Sequence, residues 1–452
     1  MTHAPHDAID AWHGLLTDEL AQESAAHLET QLRSRGLFFG DRPLCSVLRP
    51  RFFTPAQWRL LAERSAVVLR AFRVAHRAAL ARPTLRAQFR LTAWEESLVH
   101  VDPGFAAASP VSRLDAFLLD DDTVQFTEYN AETPAGGAYN DALAELFFAM
   151  PVMRRFATAW DVRALPARHH VLQQLLDCWA EFSGGTRAPR LAIVDWADVP
   201  TQSEFRLFQD YFRRQGYECQ ITTPDAIEFA GGTLRSPAGP IDVIYKRVLL
   251  HELVEREGLD HPILQAVRAR AVCMVNPPGC KILHKKASLA VLSDERNTAL
   301  FSPVEQREIA ATIPWTRVVE PRDTLRDGVM VDLLRYVAEH RDHLVLKPND
   351  EYGGKGIVLG WEVSDTEWLR AIDTALAEPY IVQQRIALPR EAYPSLVDGR
   401  VEFAERMVDT APFVAGGACL DGCLSRLGTA ALLNVTAGGG SQTPSFLVER
   451  RP

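Results

Sequence analysis

Two short segments hold acids and amides at spacings suited to work on a cation. Arg113-Leu-Asp115 and Glu128-Tyr-Asn130 fall in Val111–Leu119 and Val124–Asn130, which alternate apolar and polar residues around the turn-rich Asp120-Asp121-Asp122-Thr123. That pattern predicts a β-hairpin. With the four-residue loop closing it, Leu119 pairs with Val124, and counting back sets Asp115 opposite Glu128 and Arg113 opposite Asn130, all on one face. Two carboxylates directly across a strand pair repel unless a cation or a basic group lies between them. Asp and Glu carboxylates and an Asn carbonyl are hard oxygen donors of the kind Mg2+ accepts, and Mg2+ keeps positions open for water and phosphates. Arg113 is suited to holding a phosphate or a carboxylate bidentately. The plainer alternative is a solvated face on which Arg113 bridges the acids, and a one-residue slip would turn all four side chains away.

A second group of residues suits an anion. Leu344-Val-Leu-Lys347-Pro348 is a strand ending in a lysine, followed by Asn349-Asp-Glu-Tyr-Gly353-Gly354-Lys355-Gly356-Ile357. Glycines let backbone N–H groups approach a phosphate closely while Lys347 and Lys355 supply charge; a simple glycine turn is the alternative. The spacing is not that of a Walker P-loop, and no helix follows it. Lys286, just after Asn276-Pro-Pro-Gly279, offers another phosphate contact unless it lies on a solvated helix face. The apolar strand Tyr380–Ile386 has Gln383 and Gln384 at its centre, which suits an adenine edge or an ordinary buried strand. Arg426, in Ser425-Arg-Leu-Gly428, precedes the cluster Ala437-Gly438-Gly439-Gly440, or marks only a turn.

These residues need elements to position them. The first hundred residues or so are expected to be helical, with Thr54-Pro55-Ala56-Gln57 forming a capping box ahead of Trp58, Leu61, Val68, Leu69 and Phe72 at helical spacing. A mainly helical stretch over 141–182, broken at Pro151 and Pro166, follows the hairpin. Strands are then expected at Leu191–Trp196, Tyr217–Thr222, Ile241–Val248 and Ala271–Val275, with a helix capped by Thr201-Gln202-Ser203-Glu204. This outlines a small Rossmann-like lobe without a G-x-G-x-x-G turn, so a dinucleotide role lacks its phosphate-binding element. Strands His343–Lys347, Ile357–Gly360 and Tyr380–Ile386 surround a helix capped by Ser364-Asp-Thr-Glu367, and the tail from Val401 to Val448 is expected to be β-rich.

Composition narrows the class. The 452 residues carry 49 Lys plus Arg against 58 Asp plus Glu, a formal net charge of −9, which argues against a general nucleic-acid binder. Hydrophobic residues at 47% and charged residues at 24% match globular rather than disordered chains. No apolar run approaches the ~20 residues of a membrane-spanning helix, and no secretory pattern opens the sequence, so the cytoplasm is the expected location. The seven cysteines suggest no disulfide framework; Cys419 and Cys423, a lone C-x3-C pair, favour buried or free thiols over zinc.

Together these segments resemble the ATP-grasp superfamily in the circularly permuted form of glutathionylspermidine synthetase-like proteins. Arg113-Leu-Asp115 with Glu128-Tyr-Asn130-Ala-Glu-Thr-Pro is similar to that family's R-x-D and E-Y-N-A-[DE] signature. Asp242–Arg247, Val275-Asn-Pro-Pro-Gly279, Lys286, Val345-Leu-Lys347-Pro348, Gly353-Gly354 and Tyr380–Gln384 follow in the family's order. Permutation is implied because in ordinary ATP-grasp enzymes the E-x-N segment comes after the lysine strands. The resemblance implies an α/β (α+β) ATP-grasp fold with a helical N-terminal region (1–105), a magnesium-binding part of the core (106–185), a Rossmann-like substrate lobe (186–280), a nucleotide-binding lobe (281–387) and a C-terminal return to the core (388–452). It implies ATP and Mg2+ as cofactors, with the metal on Asp115, Glu128 and Asn130. Lys286 and Lys347 would hold ATP phosphates, the Gly353–Gly356 segment with Lys355 would cover them, and Gln383 and Gln384 would meet adenine. Arg113 and Arg426 would stabilise an acyl phosphate. The expected activity is a carboxylate–amine ligase joining a small-molecule or peptide carboxylate to an amine; a phosphotransferase on the same site and a non-catalytic nucleotide- or partner-binding protein are the alternatives. No separate amidase domain is present in the sequence, so glutathione and spermidine specificity is not implied.

Overall fold

The structure, a computed structural model, describes residues 5–39, 41–120, 122–429 and 440–452. A short strand, β1 (Arg51–Phe53), leads into helix α1 (Pro55–Ala81). The expected capping box starts that helix: Gln57 N donates to the Thr54 hydroxyl at 3.1 Å, and Thr54 N donates to the Gln57 side chain at 3.0 Å. The apolar side of α1, including Leu61, Val68, Leu69 and Phe72, is buried against the next element.

That element is the hairpin of β2 (Val111–Leu118) and β3 (Val124–Asn130), with one correction to the expected register. Leu118, not Leu119, pairs with Val124. A bulge at Thr127 returns the lost residue, so Asp115 does pair with Glu128, and Arg113 with Asn130. The cause lies on the opposite face. Val124, Phe126 and Tyr129 are all buried in the core shared with α1, and strict alternation cannot place positions 126 and 129 on one face without an extra residue between them.

The expected helical stretch over 141–182 is interrupted more than the prolines suggest. It consists of α2 (Gly137–Ala149), a short helix Pro151–Phe156, a strand β4 (Trp160–Ala164) and α3 (Arg168–Ser183). A four-stranded parallel sheet follows, built from β5 (Leu191–Val194), β6 (Cys219–Thr222), β7 (Val243–Lys246) and β8 (Cys273–Val275) in the order β8-β7-β5-β6. Each strand is shorter than expected. Helix α4 (Gln202–Arg214) joins β5 to β6, and α5 (Leu250–Glu257) lies between β7 and β8. The capping box expected at Thr201 does not form among the described residues. Glu204 instead accepts from Gly136 N at 2.7 Å and Ala138 N at 3.2 Å, so it caps α2 rather than its own helix.

After α6 (Ala287–Ser293), an antiparallel sheet forms from β9 (Thr316–Val318), β10 (Leu344–Pro348), β11 (Val358–Leu359) and β12 (Tyr380–Gln384), ordered β9-β12-β10-β11. Helix α7 (Asp365–Ala377), packed on it, carries the expected Ser364–Glu367 capping box. The tail supplies β13 (Arg390–Val397), β14 (Arg400–Val408), β15 (Ala411–Ala415), β16 (Cys419–Gly428) and β17 (Ser441–Arg450). With the hairpin they make a nine-stranded sheet, β13-β14-β16-β15-β2-β3, in which β17 pairs with β16, β1 and β4. Of the tail's glycine cluster, Ala437 to Gly439 lie outside the described residues. Cys423 is buried and Cys419 exposed. No helix among the described residues is long and apolar enough to cross a membrane.

Candidate active site

The hairpin's polar face looks across a cleft at the β10–β12 sheet. Asp115, Thr127 and Glu128 line it from the hairpin and Lys347, Gln383 and Gln384 from the sheet, together with Gly353, Gly354, Asp409 and Arg426. Apolar Phe117, Ile357, Leu359, Trp361 and Ile386 complete the walls, giving the mix of apolar lining and few convergent polar groups typical of a small-molecule site.

Asp115 is the most heavily held acid. Arg113 Nε donates to its Oδ1 at 2.7 Å and Arg113 Nη2 to its Oδ2 at 3.1 Å; Arg426 Nη2 at 2.7 Å and Asn130 Nδ2 at 3.0 Å also reach Oδ2. Burial alone would raise its pKa, but the two guanidiniums overcome that and hold it well below the usual carboxylate range. Arg426 is in turn fixed by Asp409, whose Oδ2 accepts from its Nε at 2.6 Å and whose Oδ1 accepts from its backbone N at 2.6 Å. Burial pushes the Asp409 carboxyl up. The third acid, Glu128, is half-buried and meets Lys286 Nζ at 2.9 Å. Lys286, the residue immediately before α6, is buried rather than on a solvated face, and its Nζ also donates to Glu351 O at 2.6 Å. Lys347 Nζ donates to Gln383 Oε1 at 2.6 Å, and burial lowers its ammonium to about 8 against the opposing pull of Glu128.

The structure thus brings Arg113, Asp115, Glu128, Asn130, Lys286, Lys347, Gln383 and Arg426 into one connected group, with Gly353 and Gly354 lining the same cleft. Gly353, Gly354 and Gly356 have φ of +66°, +78° and +71°, a backbone region that L side chains rarely adopt. Lys355 stands apart: its side chain is 78% exposed and pairs with Glu351 at 3.4 Å. Gln384 is engaged by Arg326, which donates to its Oε1 at 3.0 Å. Gln383 is turned to Lys347 and to Thr316, whose Oγ1 accepts from its Nε2 at 3.1 Å.

Residues beyond the expected set complete the site. Asn349 aligns α6 with the lysine strand: its Oδ1 accepts from Ala287 N at 2.8 Å and its backbone O from Lys286 N at 2.9 Å. Glu132, two residues past Asn130 and fully buried, accepts from Lys246 at 3.2 Å, Lys281 at 3.1 Å and Leu250 N at 2.7 Å. Asp350 meets Lys281 at 2.7 Å and Lys285 at 2.8 Å, and Lys285 meets Glu95 at 2.7 Å. Three lysines thus balance three carboxylates behind the cleft. His284 among them is kept neutral, since burial and Lys281 lower it to about 4. This network ties the exit of β3 to the start of the glycine segment. The signal that could have found Glu132 is its position in Glu128-Tyr-Asn-Ala-Glu132; Asp409 has none, since only sheet pairing brings it to Arg426.

A family model described as circularly permuted ATP-grasp type 2 matches residues 89–428, from ahead of the hairpin to the end of β16. The chain belongs to that family. In this ATP-grasp chain the hairpin precedes the lysine-bearing strands, the order the permutation requires. Two curated relatives, a putative glutamate–cysteine ligase 2-3 of Frankia alni and a putative glutamate–cysteine ligase 2-2 of Frankia casuarinae, are 27% and 26% identical to it over 214 residues, 45% of this chain and 23% of each relative. The match thus spans less than a quarter of the length of these relatives. A glutathione synthetase-like effector from Globodera pallida, solved in its apo form, superposes with a TM-score of 0.61 over 96% of this chain and 99% of its own, at 13% identity. That likeness is one of fold.

Proposed function

We propose that this ATP-grasp chain is an ATP- and Mg2+-dependent carboxylate–amine ligase, forming an amide through an acyl phosphate and releasing ADP and phosphate. The observation that supports it is the meeting of opposed carboxylates, Asp115 and Glu128, with two arginines and two lysines in one connected group beside a cleft lined by Gly353 and Gly354. Four cations against Asp115, Glu128 and Asp409 leave an excess of positive charge, which suits a polyphosphate.

The donors fit magnesium. Asp115, Glu128 and Asn130 offer hard oxygens, and Asn130 spends its amide N–H on Asp115, which leaves its carbonyl oxygen for a metal. Mg2+ bound there would neutralise charge on the nucleotide phosphates. The chain's own residues do the rest. Lys286 and Lys347 would bind phosphate oxygens, and the Gly353–Gly354 backbone would cover them. A carboxylate is a poor electrophile, so its oxygen first attacks the γ-phosphorus and ADP departs. The amine nitrogen then attacks the acyl carbon, the C–O bond to phosphate breaks with its electron pair leaving on phosphate, and the nitrogen loses a proton. Arg113 and Arg426 would offset the negative charge that gathers during transfer, while their ion pairs to Asp115 fix them in place.

Product analysis tests the reading. A ligase yields ADP, free phosphate and an amide in equal amounts from an acid and an amine. Phosphate retained on the acceptor would identify a phosphotransferase instead, and absence of turnover across broad acid and amine pools, with Mg2+–ATP binding intact, would leave a binding protein. Glu128→Gln should lower ADP release by about 100-fold or more; wild-type rates in that variant would remove Glu128 from the site.

A further inference from the structure

Away from the cleft, two histidines and an aspartate meet where α3 begins. His169 and His170 are the second and third residues of α3, and Asp421 lies on β16. A bulge brings the two elements together. Val414 pairs with Leu420 and Pro412 with Cys423, so Asp421 and Gly422 both stand opposite Phe413. Gly422 has a φ of +85°, and a Cβ there would lie 2.8 Å from both Ala167 Cβ and Pro166 O. Glycine therefore lets β16 press against the residues that open α3, and its neighbour Asp421 is set beside the first turn. That turn is itself fixed, because Asp141 accepts from Ala167 N at 2.7 Å and from Arg168 N at 3.0 Å.

Three donor atoms converge there. Asp421 Oδ2 lies 3.6 Å from His169 Nε2 and also pairs with His170 Nε2, and the two imidazole centroids are 3.8 Å apart. One donor atom from each of the three residues lies within 4.8 Å of the other two. Ligands at about 2.0–2.2 Å from a tetrahedral ion are roughly 3.3–3.6 Å from one another, so modest side-chain rotation closes the set. The side chains of His169 and Asp421 are 45% and 38% exposed, which leaves them room to turn and an ion a way in. The plainer alternative is a surface ion pair between an acid and a protonated histidine. What weighs against it is the company Asp421 keeps. Among the described residues no lysine or arginine reaches its carboxylate, and Arg168, the nearest cation in sequence, is committed to Asp141 at 3.1 Å and to Glu145. Histidine at neutral pH is mostly the neutral, metal-ligating form, so an acid facing two imidazoles lacks the counter-charge that a divalent ion supplies.

We infer that His169, His170 and Asp421 form a binding site for a divalent transition ion of the zinc class, which clamps the start of α3 to β16. Two imidazole nitrogens and one carboxylate oxygen suit Zn2+ and its neighbours rather than Mg2+, which takes oxygen ligands in an octahedron. Three protein ligands leave a fourth position for water. Arg426 stands five residues further along β16, roughly 15 Å away at the rise of a strand, so this ion is separate from the magnesium proposed at the hairpin. The inference does not depend on the ligase reading.

The test titrates the full chain, stripped with a chelator and freed of it, with Zn2+ by calorimetry in excess Mg2+, and follows the melting temperature with and without Zn2+. Wild type should take up one Zn2+ per chain and melt higher with it. His169→Ala, His170→Ala and Asp421→Asn should each weaken Zn2+ about 100-fold or more, since loss of an outer partner alone costs about 10- to 100-fold. Melting of these variants in chelator should match wild type, because an exposed pair contributes little, and that match shows that they fold. No saturable Zn2+ binding to wild type at micromolar concentrations, or unchanged affinity in the three variants, would overturn the site. So would binding lost in Glu128→Gln but kept in Asp421→Asn, which would put the ion in the cleft. Binding lost in Cys419→Ser but kept in Asp421→Asn would give it instead to the exposed thiol two residues away, and the inference would fall.

Discussion

Asp115 and Glu128 face each other across one hairpin yet stand in different surroundings, and their variants should separate accordingly. Asp115 anchors two arginines in a buried site, so Asp115→Asn breaks ion pairs from which water is excluded and should cost about 3–5 kcal/mol of stability. It should also shift acid sensitivity. The folded-state pKa of Asp115 is held below its unfolded value, so its contribution is complete above the unfolded pKa and is lost as pH falls below the usual carboxylate range. The variant's stability should therefore change less than wild type's as pH falls below the usual carboxylate range, which denaturant titrations at several acidic pH values would reveal. Glu128 is half-buried with a single ion-pair partner, and Glu128→Gln should leave the melting temperature nearly unchanged while removing the Mg2+-dependent ATP shift. Lys347 gives a prediction of opposite sign. Burial sets its ammonium near 8, and a polyphosphate beside it would raise it, so ATP affinity should be full below about pH 8 and fall as pH rises through that value. Calorimetry in two buffers of different ionisation enthalpy should detect proton uptake on binding just above pH 8, absent in Lys347→Met.

At the scale of elements, the bulge at Thr127 decides which residues face the cleft. Deleting Thr127 forces strict alternation, so keeping Glu128 on the polar face would turn Tyr129 out of the core, and keeping Tyr129 buried would move Glu128. Either outcome loses something measurable: about 3 kcal/mol or more of stability for an unburied aromatic, or the metal-dependent ATP shift. Circular dichroism melts with and without Mg2+–ATP would show which. The bulge was legible in the sequence, since the apolar residues Val124, Phe126 and Tyr129 are spaced by two and then three, but the count from the loop gave the same pairing by the wrong route. Capping boxes at Thr54 and Ser364 were legible because they depend only on near neighbours. The one at Thr201 failed because Glu204 found donors in α2, far away in sequence, and β4 was hidden for the same reason, its partner being the last strand of the chain. Asp409 likewise acquires meaning only once a sheet places it beside Arg426.

Across the whole molecule, the buried charges at Glu95, Glu132, Lys246, Lys281, Lys285 and Asp350 join the N-terminal helical region, the hairpin exit, the parallel sheet and the glycine segment. Lys281→Met removes the cation shared by Glu132 and Asp350 and leaves three carboxylates against two lysines, Lys246 and Lys285, in a largely buried network. It should cost about 3–5 kcal/mol, and because the network links the lobes, the variant should melt with one lowered transition by calorimetry rather than shed a single lobe. The nine-stranded sheet joins distant parts of the chain as well: β17 lies between β16 and the early strands β1 and β4, and Thr443 donates to Arg49 O across 394 positions of sequence. During synthesis at about 5–20 residues per second, β1 therefore waits on the order of 20–80 s for its partner. Through that interval β1 is a strand without its partner, and unpaired strands are segments on which chains adhere to one another. The yield of native protein should thus be set by how well that strand is shielded until β17 has been made.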